Sequence, residues 1–308
     1  MTGMQRTSVI VIGIAVVVLA IVVGFLLFGS DEEPAVSPSP ESAAPSASSS
    51  LNAEMLDRRW TVLYVGTDLN ATREADGAAP NTDALMVASL SADQSELTLI
   101  SLPRDTVDVP LADGSTWPEK INSLYVQRGI DELVSAMETL YGVPIDAYLV
   151  LDMDDFASMV DAVGTIEVSP PEPIVDPIVN LDLPAGPQEL DAQETLGYVR
   201  TRVDEDYGRM GRQQEVSVSL VSKLVNPETD VNVGEVMDSL ESLETDLPLD
   251  DLPTLLELGR RAGDAEVENL IIQPPLITFE GDRGDGRGYI LEIDVEAVRA
   301  EVQELIGD

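Results

Sequence analysis

The sequence predicts an α/β fold, a central mixed β-sheet flanked by helices in α-β-α layers, preceded by one N-terminal transmembrane helix. Three observations predict it. Short apolar runs with strand character alternate with longer runs of helical period. Gly and Pro punctuate the joins between them. One uncharged run, Ser8–Phe28, stands apart at the N-terminus.

That run is 21 residues long. As a helix it would span roughly 30 Å, the thickness of a bilayer core. Arg6 precedes it and Asp31, Glu32 and Glu33 follow, so residues 1–7 are expected on the cytoplasmic side. A cleaved signal peptide is the rival reading. Its apolar region would be shorter, and no clear small-x-small site precedes the acidic run. Residues 29–52, with the run SPSPESAAPSASSS, read as a flexible spacer. Residues 53–308 are expected to form one extracytoplasmic domain.

Within that domain Thr61–Asp68, Ala84–Leu90 and Leu97–Leu102 read as three strands. A helix is expected over Asp131–Tyr141, ending at Gly142. Residues 147–153 read as a strand, a helix follows to Val163 and stops at Gly164, and 165–169 is a further strand. The Pro-rich stretch 170–188 reads as a loop. Asp191 and Glu194 have capping-box spacing for a short helix. A strand near Tyr198–Val203 then leads to a helix from about Arg209 to Val225. Further helices are expected over 233–244, 250–262 and 294–306, with strands near 268–273 and 288–292.

Composition narrows the chemistry. The 308 residues include 57 acidic and 17 basic side chains, a net charge of −40. Nucleic-acid phosphates need a basic footprint, so nucleic acid is excluded as a partner. There is no Cys and no His. Disulfides, thiolate metal sites, Ser–His triads and imidazole-bound zinc are therefore ruled out. Carboxylates, Arg, Lys, hydroxyls and a hard, oxygen-ligated metal remain.

Four of the 17 basic residues fall between positions 200 and 212. Arg200 and Arg202, two apart in the expected strand, would leave one face. Arg209, Arg212 and Gln213 share a helical stripe that continues through Val216, Leu220 and Leu224, so these arginines face inward. Buried guanidinium groups need partners. Those partners are either Asp204, Glu205 and Asp206, as an ion-pair network, or a bound anion such as phosphate. A second group lies upstream. Asp68 ends the first strand, Asp83 opens the second, and Arg104 and Asp105 follow the third. If the three strands run up, down and up, Asp68, Asp83 and Arg104 meet at one end of the sheet. Two carboxylates beside an Arg suit a divalent ion shared with phosphate oxygens. Lys120 is one of two lysines in the chain and in isolation reads as a surface charge.

Several segments resemble the LytR-CpsA-Psr family of bacterial cell-envelope proteins. They are VGTD at 65–68, NTDALMV at 81–87, LISLPRDT at 99–106, KIN at 120–122, the stretch 142–168, and LDAQETLGYVRTRVDEDYGRMGRQQ at 190–214. The resemblance is strong over 57–225, and its specificity lies in the order PRD, KIN, RxR, GRxxRQ after an apolar anchor. It implies a membrane-anchored phosphotransferase. Such a protein moves a glycopolymer from a polyprenyl-pyrophosphate carrier to a peptidoglycan hydroxyl and releases polyprenyl phosphate. It implies Mg²⁺ (or Mn²⁺) on Asp68 and Asp83. Arg104, Arg200, Arg202, Arg209 and Arg212 then form a pyrophosphate clamp, supported by Gln213 and Lys120. The expected catalytic group is Asp68, Asp83, Arg104, Asp105 and Arg202, with the base for the hydroxyl open between Asp83 and Asp105. The family commonly has Arg directly before the Thr-Asp pair, where Asn81 stands here, leaving one contact to be missing or supplied by Arg73. A polyprenyl-pyrophosphate hydrolase and a non-catalytic lipid-phosphate sensor are the alternative functions.

Overall fold

The structure is a computed structural model that describes residues 51–69, 75, 77, 80–225 and 243–306. The apolar run 8–28, the spacer up to residue 50, and Arg73 lie outside the described residues. No helix among the described residues is long and apolar enough to cross a membrane.

A short helix α1 (Ala53–Leu56) precedes β1 (Trp60–Thr67), β2 (Thr82–Leu90) and β3 (Glu96–Ser101). Two small strands, β4 (Val109–Pro110) and β5 (Thr116–Trp117), lead to α2 (Leu124–Arg128) and α3 (Ile130–Tyr141). Then come β6 (Ala147–Leu151), α4 (Met153–Val163), β7 (Ile166–Val168), β8 (Ile174–Asp176), β9 (Leu181–Leu183) and β10 (Gln188–Leu190). Helices α5 (Ala192–Arg200) and α6 (Glu205–Val225) follow, then β11 (Glu244–Thr245), α7 (Leu252–Asp264), β12 (Glu266–Ile271), β13 (Ile277–Asp282), β14 (Tyr289–Ile293) and α8 (Val295–Ile306).

Six strands form the central sheet in the order β11-β6-β1-β2-β3-β12. β1, β2 and β3 are antiparallel neighbours, whereas β6 runs parallel to β1 and β12 parallel to β3. The sheet is therefore mixed, as the sequence predicts. Its strands are nearly continuous apolar runs because both faces are covered. Alternation assigns the faces: Val62, Met86, Ala88 and Leu99 pack with α4, α5, α6 and α7, while Leu63, Val65, Val87 and Ile100 pack with α2, α3 and α8.

Three expectations are corrected. The strand expected near Tyr198–Val203 is the end of α5 and a turn. The Asp191–Glu194 capping box starts a helix that nothing breaks before Thr201, and the apparent alternation is a helix end read as a strand. Helix α6 begins at Glu205, four residues earlier than expected, so Gly208 sits inside it. A Cβ at Gly208 would overlap the Asp204 carboxylate that pairs with Arg212, so a side chain there would have to displace it. The Pro-rich loop contains the ribbon β8–β9. Strand β7 pairs with β10 outside the central sheet. The helix expected over 233–244 falls outside the described residues except for its last two positions, of which Glu244 belongs to β11.

Candidate active site

Antiparallel pairing of β1, β2 and β3 brings the end of β1, the start of β2 and the end of β3 to one edge. The parallel strand β6 ends there too, so Asp152 and the N-terminus of α4 join them. Ligands commonly bind at such carboxyl ends of strands. A cavity of about 360 Å³ opens at this edge. Asp68, Asp83, Arg200, Arg202, Arg209 and Gln213 all line it, alongside an apolar wall of Tyr64, Leu151, Met153, Phe156, Val179 and Leu196. The acidic tips and the arginine corner, more than 100 residues apart in sequence, thus share one concave site.

Asp68 leaves β1 just after a register shift between Gly66 and Thr67. Its carboxylate accepts from the Asn81 backbone N–H at 2.8 Å and from Asn81 Nδ2 at 3.2 Å. Asn81 therefore holds Asp68 in place, which is the work it does at this departure from the family pattern. Asp83 pairs with Arg104. Behind Arg104 stands Asp105, 3.8 Å from its Nε and 2.9 Å from Lys120 Nζ. Lys120 and Asp105 thus brace Arg104, and none of the three, expected at the site, is among the cavity-lining residues; Arg104 meets the cavity only through Asp83. Burial alone would lower the Arg104 pKa. Asp83, by charge and hydrogen bond, with Asp105 and Asp206, reverses this and raises it.

Arg209 is 2% exposed, as its place on the inward stripe requires. Its Nη2 donates to Asp206 at 2.9 Å, and its buried Nε has no hydrogen-bond partner among the described residues. Its pKa is lowered, chiefly by burial. Asp206 offsets that in part, while Arg202 and Arg104 add to it as like charges. Arg209 is thus a buried cation with too little negative charge around it. Arg202 is only loosely held, 3.8 Å from Asp206, and Arg200 has no ion pair among the described residues. Asp206 thus steadies Arg202 and Arg209 without satisfying them among the described residues.

Arg212 is different. Its Nε donates to the Tyr198 carbonyl at 2.9 Å, Nη2 to the Thr201 carbonyl at 2.5 Å, and Nη1 to Asp204 at 2.6 Å. It does not line the cavity. Its position ties the end of α5 to α6 and so aims Arg200 and Arg202. Arg212→Ala is expected to destabilise the domain by about 3 kcal/mol, from two charge-assisted bonds to buried carbonyls at roughly 1.5 kcal/mol each. A thermal melt should show this as a fall of several degrees; an unchanged melt would remove Arg212 from that role. Gln213 lines the cavity and donates to the Val199 carbonyl at 3.2 Å.

Asp176, in the stretch read as a loop, was not foreseen. Buried at the cavity wall, it accepts from Thr201 Oγ1 at 2.6 Å and from the Ile178 N–H at 2.9 Å. The Thr201 hydroxyl, first among these donors, holds the Asp176 carboxyl below the usual range. Its stabilising contribution is therefore present above the ordinary carboxylate pKa and lost as pH falls through the lowered value. Nothing in the sequence marks this residue, because its role depends on a ribbon that Pro spacing conceals.

Among the described residues no three carboxylates converge as a ready metal cage. Mg²⁺, however, is commonly held by one or two carboxylates with waters and phosphate oxygens. The cavity wall carries four aspartates (68, 83, 152 and 176) against three arginines. An anion alone would meet a net negative wall, so a divalent cation beside Asp68 and Asp83 fits the donor set.

The fold is a mixed α/β domain that gathers aspartates and arginines in one cavity at the strand ends. The sequence profile of the LytR_cpsA_psr family matches residues 26–299, and the chain belongs to that family. It is 41% identical over 155 residues to the probable cell wall biosynthesis protein LcpB of Corynebacterium glutamicum, covering 49% of this chain and 36% of LcpB. It is 27% identical over 272 residues to the polyisoprenyl-teichoic acid–peptidoglycan teichoic acid transferase TagV of Bacillus subtilis, covering 83% of this chain and 68% of TagV. The chain thus spans about a third and two thirds of these relatives' lengths. The crystal structure of TagV superposes with a TM-score of 0.66 at 26% identity, over 81% of this chain and 98% of that one. A structure of TagT bound to LIIa-WTA has the same fold, with a TM-score of 0.62 at 21% identity over 82% and 93% of the two chains.

Proposed function

We propose that this chain transfers a glycopolymer from a polyprenyl-pyrophosphate carrier to a hydroxyl of peptidoglycan; the name of TagV, a polyisoprenyl-teichoic acid–peptidoglycan teichoic acid transferase, supports the polyisoprenyl donor and the peptidoglycan acceptor. One observation carries the proposal: Arg209, a buried and under-neutralised cation, shares a cavity with Asp68, Asp83, Arg200 and Arg202. A pyrophosphate supplies the missing negative charge. The apolar wall suits the first isoprene units of the carrier.

The acceptor hydroxyl attacks the phosphorus that bears the glycan, the bond to the bridging oxygen breaks, and polyprenyl phosphate leaves. Such transfer is positioning and charge stabilisation, which arginines at fixed positions provide. Mg²⁺ (or Mn²⁺) on Asp68 and Asp83, when bound, would neutralise phosphate oxygens and the carboxylates together. Arg209 meets the charge that moves onto the leaving phosphate, and Arg104, outside the cavity lining, holds Asp83 in place. Arg200 and Arg202 orient the pyrophosphate at the mouth, and Gln213 supplies an amide. Of the two carboxylates considered as base, Asp83 lines the cavity and Asp105 does not. Residues 8–28 would anchor the chain in the cell membrane with the domain on the extracytoplasmic face.

The test is an assay of the full chain with a lipid-linked glycan, with and without peptidoglycan, following lipid products. Acceptor-dependent release of polyprenyl monophosphate, with glycan joined to peptidoglycan, is expected. Release that is independent of acceptor would make the protein a pyrophosphate hydrolase, and binding without release would make it a sensor.

A further inference from the structure

Tyr64 lines the cavity with a hydroxyl that the fold does not use. It lies on β1, and its ring packs on the apolar cluster beneath α4–α7. Its neighbours across the sheet are Met86 on β2 and Leu149 on β6, so no polar side chain stands opposite it. Among the described residues the Tyr64 hydroxyl has no hydrogen-bond partner. Tyr198, beside the arginine corner, is the contrast: its hydroxyl donates to Glu215 at 2.7 Å. Burial raises the Tyr64 pKa, so the hydroxyl keeps its proton and remains a donor. A Phe would pack in the same space with no hydroxyl to desolvate, so packing alone does not account for a tyrosine here.

Position supplies the reason. Gly66, Ala84, Asp68 and Asp83 line the same cavity. A Cβ on Gly66 would lie 3.3 Å from the Tyr64 Oη and 3.0 Å from the Ala84 Cβ. The hydroxyl therefore reaches forward along β1 to Gly66, close to Asp68 in the chain and paired across the sheet with Ala84, which follows Asp83. With no side chain at Gly66 and only a methyl at Ala84, a ligand atom can approach the hydroxyl. The ring belongs to the apolar wall and the hydroxyl points toward the acidic rim, so Oη marks their junction. A polyprenyl pyrophosphate has a matching junction at its carrier-side phosphate, where an apolar chain meets charged oxygens.

We infer that Tyr64 is a further catalytic residue, its hydroxyl donating a hydrogen bond to an oxygen of the carrier-side phosphate. The inference rests on the transfer reaction proposed above, in which that phosphate leaves. Charge on its oxygens grows as the bond from the attacked phosphorus to the bridging oxygen breaks. A donor held in place by packing meets that charge without reorganising. The proton stays on Tyr64 throughout.

The test compares the full chain with Tyr64→Phe, which keeps the ring and removes only the hydroxyl. Both are assayed for transfer of a lipid-linked glycan to peptidoglycan, for binding of geranylgeranyl monophosphate in detergent micelles, and by thermal melt. Tyr64→Phe is expected to lower kcat roughly 10- to 100-fold and to weaken monophosphate binding about 10-fold, the scale of one hydrogen bond to a charged group. Its melt should stay at or above the parent's. Unchanged monophosphate binding overturns the inference whatever the turnover. Unchanged kcat in an active chain overturns it as well, by leaving the hydroxyl a bystander to the reaction. A lower melt would give the hydroxyl a partner within the protein and overturn it too. If the parent shows no acceptor-dependent transfer while Tyr64→Phe still weakens monophosphate binding, the result counts against the transfer reaction and for the contact.

Discussion

Arg209→Ala is expected to lower glycan transfer by roughly 10²–10³-fold, the range seen when one preorganised charge-stabilising donor is removed. Stability should hardly fall. Burial depresses the Arg209 pKa, and Asp206 repays only part of that penalty. A charge in that condition opposes folding and is retained for another reason. Arg209→Met keeps much of the volume and should melt at or above the parent temperature while remaining inactive. The lost stabilisation should appear in kcat more than in KM, because the demand on Arg209 grows as charge moves onto the leaving phosphate. Steady-state kinetics with a thermal melt of each variant checks this. An active Arg209→Ala, or one that fails to fold, would return Arg209 to a structural ion pair with Asp206.

Asp83→Asn carries the second large effect. The carboxylate touches Arg104 and lines the cavity, so its loss removes an expected metal ligand and the ion-pair partner that fixes the Arg104 guanidinium. Transfer should fall about 100-fold or more. Binding of the lipid pyrophosphate should persist, since Arg200, Arg202 and Arg209 are untouched. Asp68→Asn should behave alike and should also raise the concentration of Mg²⁺ needed for half-maximal activity. Equal loss of binding and turnover would count against a catalytic role. Unchanged activity in both variants would favour a sensor.

Much of this was legible in the sequence because it depends on local pattern. Apolar runs marked β1, β2, β3 and β6, and the short turn between β2 and β3 suits their antiparallel pairing. The inward stripe through Arg209 and Arg212 also came from period alone, and both side chains are buried. What the sequence concealed was the use of each buried charge. Arg209 and Arg212 look equivalent on the stripe, yet one faces a cavity and the other binds carbonyls of α5. That difference depends on the crossing of two helices, which no spacing encodes. Arg200 and Arg202 reach the cavity although their strand is a helix end and a turn. The placement survived the error because the corner, held by Arg212 and Asp176, sets the direction of those side chains. Asn81 shows the converse: a departure from a family pattern proved to be a local brace for Asp68.

The most direct measurement is a structure of the full chain with a polyprenyl pyrophosphate glycan bound. Both phosphates should sit within hydrogen-bond distance of Arg202 and Arg209, with a divalent cation touching Asp68 and Asp83 and the isoprene units against Phe156 and Leu196. A pyrophosphate seated on the other side of α6, in the groove formed by Glu167, Gln214 and Asn269, would contradict the shared site from which the function is drawn.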